Sequence, residues 1–481
     1  MKIKKFFSLI ICFVIIISAI NVNAFNFIVK SVDTDNGEQV SDFYDRLIDY
    51  IVKTYKYDIT RDELLTAAAK SILKEHPELL VEFGKGAFEA LDENSEYYTF
   101  DEYTDVYSTV SGYYVGIGVH VLQSAGRIIL GEPIEGTPAA SSGLMVGDII
   151  IAVDGENVKD YSLDKIVSMI QGEIDTEVSI TVLRDKNEYT YKIKRTIIEI
   201  NPVTYNIIED TNFGYVKISS FNASTMEGFD TAMKYFHDND ISKVVLDLRN
   251  NLGGYLDAAV GVASYFIPDG KLVVTEEHKD ETKNIKHYAN KTIDKFRAVV
   301  LINEYSASAS EVVASALRDY GTGVLVGKTS FGKGTVQVAI PVKSADVLWL
   351  TEAEYYTPNH AQIHKVGIDP DYFVSNPKEE FDMSSLTKYE ITRVLQIGDS
   401  GEDVYAVKER LSKIGYSLNL DDVYDERTAE VVEHFQESTE LFPYGVADIT
   451  TQIKINDILR TSYVTVDKQF DKAVELLNEI F

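Results

Sequence analysis

Between residues 200 and 375 the chain alternates between short β-branched apolar runs and helical stretches. The runs are GYVKIS, KVVLDLR, AVVLIN and GVLVGK; STMEGFDTAMKYFHD, GYLDAAVGVASYF and SEVVASALRDY lie between them. Apolar runs of that length, punctuated by stretches with helical spacing, predict an α/β core. The flanking regions differ in character. Residues 25–106 read as mostly helical, with Phe43, Leu47, Ile48 and Ile51, then Leu64, Leu65, Ala68 and Ile72, at helical spacing, and with DENSEYYTFDEY (92–103) as a connecting turn. Residues 107–199 hold short alternating strands and two short helices, a small β-rich module. Residues 376–388 are a polar linker, 389–460 a compact helical unit and 461–481 a C-terminal tail.

Lys2, Lys4 and Lys5 precede an apolar run, Phe6–Ile20, and a small-residue site, Val22-Asn23-Ala24. That layout predicts a secretory signal peptide over residues 1–24, cleaved or kept as an anchor, and an extracytoplasmic protein. The only cysteine, Cys12, lies inside the run, so the exported chain has no thiol chemistry and no disulfide. The formal net charge of −30 sets the protein against phosphate backbones and excludes nucleic acid as a partner.

Two segments carry the chemistry, NEYSASASEVVASALRDYG (303–321) and GKTSFGKGTVQ (327–337). In the first, a strand runs into a Ser/Ala-rich turn from which a helix starts near Ser308–Ser310, where unpaired N–H groups favour a developing oxyanion. A serine nucleophile needs a base, and Lys333, set between Gly332 and Gly334, is the candidate. Bringing a lysine from about 10.4 to about 7 takes roughly 4–5 kcal/mol of bias against its charge, which burial can supply. Gln337, four positions on, would share a face with Lys333 in an extended segment and could orient the amine. Oxyanion donors are expected from the Ala309 amide and from Gly253 and Gly254 in DLRNNLGGYL (247–256), where a strand ends in a glycine-rich turn.

Together SASASE, FGKGTVQ and DLRNNLGG resemble the C-terminal processing peptidase, or tail-specific protease, family, over about residues 40–375. The resemblance implies a crotonase-like α/β serine peptidase core and a dyad of Ser308, the middle serine of SASAS, with Lys333, 25 positions on. It makes Ser306 and Ser310 neighbours rather than nucleophiles, calls for no metal or organic cofactor, and implies that the N-terminal helical region forms a homodimer.

GYYVGIGVHV with GLMVGDIIIAVDGENV resembles the PDZ domain inserted in that family. The turn at Gly116, Ile117 and Gly118, continued by Val119, would hold a substrate's terminal carboxylate and add its tail along a strand edge. Ile117, Val119, Ile166, Val167 and Ile170 are the candidate pocket for the last side chain. Gln171 stands where some family members carry an arginine that couples this domain to the active site. LQIGDSGEDVYAVKERLSKIGY with YDERTAEVVEHFQ resembles a three-helix peptidoglycan-binding domain, which makes peptidoglycan an expected partner beside protein tails.

Competing patterns are weaker. Gly327-KTSF-Gly332-Lys333 has the spacing of a phosphate loop, but Gly334 replaces its Ser/Thr. His360, His364, Asp247 and Asp369 could furnish a Ser-His-Asp triad, but Ser308 lacks a G-x-S-x-G frame. A His360/His364 metal pair needs a helix that Pro358 and Gly367 oppose. The rival functions are a non-catalytic PDZ and wall-binding scaffold and a crotonase-type acyl-CoA enzyme.

Overall fold

The computed structural model describes residues 37–480 apart from 125–126, 185–186, 292–295 and 343–344. The signal-peptide reading and Cys12 lie outside the described residues. The helices Gly37–Thr54, Arg61–Glu75 and Leu80–Phe88 belong to a unit of their own ending at Asp92. Thr60 starts the second of them with a capping box, exchanging hydrogen bonds with Glu63. Among the described residues no helix is long and apolar enough to cross a membrane.

DENSEYYTFDEY, read as a turn, is ordered structure. Glu96–Tyr98 is a strand paired with Val347–Tyr356, and a Thr99–Glu102 capping box opens the helix Phe100–Ser111. The T-x-x-E signature of that box was present in the sequence. Strand Tyr113–Gly116 then leads into the β-rich module and pairs with Thr196–Glu199 on the way out. Inside the module, five strands in one sheet path carry the helix Leu163–Ile170 over a core that includes Leu130, Ile166, Val178 and Ile180. Ile166 is fully buried there and does not line a groove, correcting its place in the candidate pocket.

The α/β core holds a six-stranded sheet in the order Val203–Ile207, Gly214–Ile218, Lys243–Asp247, Arg297–Ile302, Gly323–Gly327 and Tyr372–Phe373; only the first pair is antiparallel. The period of two sorts its side chains. Val244, Leu246, Ala298, Val300 and Ile302 face the helices Thr225–Asp238, Leu256–Ala263 and Ala309–Asp319. Val245, Val299, Leu301 and Val326 face the other way, where the helix Lys468–Glu479 covers them with Ala473, Leu476 and Leu477. The stretch read as a tail is therefore the second layer of this sheet. Each leucine buried there contributes about 1.5–3 kcal/mol.

A second sheet brings Thr335–Pro341 onto Val347–Tyr356, which also pairs with Leu272–His278. This sheet delivers the segment after Lys333 to the edge of the core. Helices Glu402–Ile414, Glu426–Ser438 and Ile449–Arg460 enclose Val404, Val407, Leu411, Val431, Val432 and Phe435. The stretch read as a linker contains the strand Lys378–Glu380, which pairs with Tyr463–Thr465 and so closes the chain before and after these three helices.

Candidate active site

Ser308 occupies a backbone conformation that side-chain-bearing residues rarely adopt, φ 55° and ψ −116°, at the first turn of the helix Ala309–Asp319. Such a conformation costs on the order of 1–3 kcal/mol and persists only where neighbours impose it. Those neighbours are visible. The Ser308 N–H donates to Glu311 Oε2 at 2.8 Å, and the preceding Ala307 N–H donates to the Asn251 carbonyl at 3.0 Å. Ser306 and Ser310 are fully buried, and their hydroxyls donate to the carbonyls of Leu248 and Asn251, both at 2.9 Å. Of the three serines only Ser308 is partly accessible.

The glycine loop lies directly against Ser308. A Cβ on Gly253 would stand 2.8 Å from Ser308 Cβ and from the Ala307 carbonyl oxygen, and one on Gly254 would stand 1.9 Å from the Phe221 carbonyl oxygen. Only glycine fits either position, and both have positive φ. Buried Asn251 organises the turn: its Oδ1 accepts the Gly253 N–H at 2.8 Å and its Nδ2 donates to the Ile218 carbonyl. The Gly253 N–H is thus already engaged. The Gly254 and Ala309 N–H groups have no hydrogen-bond partner among the described residues, so they are the donors free to receive an oxyanion.

The lysine loop is held by the same carboxylate that holds Ser308. Glu311 is fully buried and accepts four hydrogen bonds: Ser330 Oγ (2.5 Å) and Gly332 N–H (2.6 Å) on Oε1, Ser308 N–H (2.8 Å) and Lys333 N–H (2.9 Å) on Oε2. Burial pushes its carboxyl upward while these donors pull it down. The Lys333 amine is half-buried and has no hydrogen-bond or ion-pair partner among the described residues; burial holds it below the ordinary lysine value. Gln337 Nε2 donates to Thr335 Oγ1 (2.8 Å) and Thr351 Oγ1 (3.1 Å), leaving its carbonyl oxygen as the atom able to receive an amine. Sequence reasoning missed Glu311 and Asn251, although Glu311 was signalled by its place three residues after a helix-starting serine.

The histidines lie in other surroundings. His360, at φ 60°, stacks on Tyr356 at 4.9 Å, and His364 follows Ile363 in irregular backbone packed over Gly334. Asp369 accepts from Thr329 Oγ1, and Asp247 is bound to Arg249 and Tyr215. Among the described residues no three His, Cys, Asp or Glu side chains are grouped to hold a metal ion.

In the β-rich module a groove of about 180 Å³ is lined by Tyr114, Gly116 to Val121, Val167, Ile170 and Gln171. The Ile117 and Gly118 carbonyls accept from Ala139 N–H (2.8 Å) and Ile134 N–H (3.0 Å), while their own N–H groups have no partner among the described residues. That polarity suits a carboxylate.

The chain matches models of peptidase family S41 over residues 212–374, of a PDZ domain over 130–184 and of a peptidoglycan binding domain over 400–455. It is 32% identical over 483 residues to the "Probable CtpA-like serine protease" of Staphylococcus aureus strain MRSA252, spanning 98% of this chain and 92% of that one. The protein of the same description from Staphylococcus haemolyticus strain JCSC1435 is 33% identical over 395 residues, covering 82% and 78%. Among solved structures, the photosystem II D1 C-terminal processing protease shares 25% identity, covering 71% of this chain and 94% of that one, with a TM-score of 0.41.

Proposed function

The chain belongs to the CtpA-like serine proteases of peptidase family S41, and from that premise we propose that it is an exported endopeptidase cutting protein substrates delivered by their C-terminal tails. Ser308 Oγ attacks the scissile carbonyl and Lys333, uncharged, takes its proton. The Gly254 and Ala309 amides hold the oxyanion, with Gly253 providing the close approach. Lys333 returns the proton to the leaving amine, and water releases the acyl-enzyme. Gln337 orients the amine through its carbonyl oxygen. The observation that carries this reading is the single buried carboxylate, Glu311, fastening the serine turn and the lysine loop together.

The Gly116-Ile117-Gly118-Val119 segment receives the tail's carboxylate and extends its strand. The leader-like residues 1–24 and the three-helix unit support export and attachment to peptidoglycan, and dimerisation is assigned to the N-terminal helices. A fluorophosphonate probe tests the assignment: parent protein labelled at Ser308, with no label on Ser308→Ala, is the expected result. An unlabelled parent would make the chain a scaffold, and equal labelling of the variant would take the nucleophile's role from Ser308.

A further inference from the structure

Arg249 joins the chain's C-terminal segment to the glycine loop. Its guanidinium is gripped from two sides. Asp247 accepts from Nε (2.9 Å) and Nη2 (2.6 Å), and Asp467 accepts from Nη1 (2.6 Å) and Nη2 (2.9 Å). The Arg249 and Asp247 side chains are 13% and 2% exposed, so that half of the fork is sheltered from water, while Asp467 closes it from the solvent side at 44% exposed. Gln469 Oε1 adds a contact at 3.2 Å, and Tyr215 OH supports Asp247 at 2.8 Å. Two-pronged pairing fixes both the place and the plane of a guanidinium, which a single point contact does not.

From Arg249 the chain passes directly to the machinery. Asn250, at φ 60°, donates its N–H to Asn303 Oδ1 (2.9 Å) and accepts from Asn303 Nδ2 (2.8 Å). Asn251 follows, with its bonds to Ala307, Ser310 and Gly253, and then the two glycines. On the other side, Asp467 caps the helix Lys468–Glu479, accepting from Phe470 N–H at 3.1 Å, and Lys243 Nζ donates to the Leu477 carbonyl near its far end.

We propose that Asp467 is a positioning residue: through Arg249 it sets the Gly253–Gly254 backbone against Ser308, so the peptidase core is catalytically complete only when residues 463–479 have folded back onto it. This rests on Ser308 being the nucleophile.

Asp467→Asn is a clean probe, because asparagine caps a helix as well as aspartate while it cannot grip the guanidinium as a carboxylate does. Fluorophosphonate titration counts competent sites, and kcat per titrated site is then measured with KM on a tail-bearing peptide. Loss of fold lowers the count; loss of position lowers the rate per site. Asp467→Asn and Arg249→Lys are expected to lose about tenfold or more in kcat per site with KM nearly unchanged, as for a contact used only in the transition state. Leu476→Ala, which loosens the same helix without touching the fork, is expected to lower stability and leave the rate per site within about twofold. The proposal is overturned if Asp467→Asn keeps the parent rate per site, whatever Arg249→Lys does, or if Leu476→Ala loses as much as the fork variants. A parent that takes no label at Ser308 would instead overturn the nucleophile assignment itself.

Discussion

Ser308 and Lys333 donate their backbone N–H groups to the same oxygen atom, Glu311 Oε2, at 2.8 and 2.9 Å. Two loops far apart in connectivity are thereby referenced to one buried atom on the first turn of the helix that Ser308 begins. The lysine amine is left without a partner in an environment that disfavours its charge. Restraining the two backbones while leaving the Lys333 amine unbonded suits the proton exchange proposed for this pair.

Glu311→Ala leaves four donors without their acceptor. Orphaned buried donors cost about 1–3 kcal/mol each before relaxation, so a lower melting temperature is expected, together with roughly a hundredfold loss of kcat from misplacement of the two loops. Glu311→Gln keeps the shape but turns an amide N–H₂ toward an N–H, and is expected to fall between parent and alanine variant. Calorimetry and peptide kinetics check both.

Gly253→Ala and Gly254→Ala place a methyl where no space exists, against Ser308 Cβ and the Phe221 carbonyl respectively. Both variants are expected to lose at least about a hundredfold in kcat, with peptide binding to the separate groove unchanged. Fluorescence titration with a tail peptide measures the latter, and weakened tail binding would contradict the division of roles.

With the neutral Lys333 amine as the proposed base, kcat/KM is expected to rise with pH through a pKa below the ordinary lysine value and then level off. The linked stability has a definite sign. Burial lowers the folded pKa, so the parent's contribution from Lys333 is present above the unfolded value and is lost as pH falls through the folded one. The Tm advantage of Lys333→Met over the parent should therefore grow as pH drops from the ordinary lysine range toward neutrality. A pH–rate profile titrating at an unperturbed lysine value would contradict this.

Amidating the C-terminus of a tail peptide removes the charge that the Ile117 and Gly118 N–H groups are proposed to receive. A loss of about tenfold or more in affinity is expected by calorimetry, in line with one or two charge-assisted hydrogen bonds. Equal affinity of acid and amide would remove the groove from tail recognition.

The strand and helix patterns of the core, and the three helices around Val404 to Phe435, were legible because their apolar spacing is strong. Ser308, Lys333 and the two glycines were singled out through motif resemblance; the structure sets Gly253 against Ser308 but engages its N–H with Asn251, which the motif did not signal. Asn251 and the Arg249–Asp467 fork were not, because they act through contacts between residues far apart in sequence. The last helix was overlooked although Ala473, Leu476 and Leu477 form an i, i+3, i+4 stripe. DENSEYYTFDEY shows the reverse failure: its polar and aromatic composition suggested a turn, yet Tyr97 is buried and bonds to Asp346 at 2.7 Å.

The most direct measurement is the rate at which Lys333→Ala, shown to be folded by circular dichroism and still bound by a tail peptide, cleaves a tail-bearing protein. A fall of about a thousandfold or more against the parent is expected for loss of the general base. Cleavage at the parent's rate would mean that another group deprotonates Ser308, or that Ser308 is not the nucleophile.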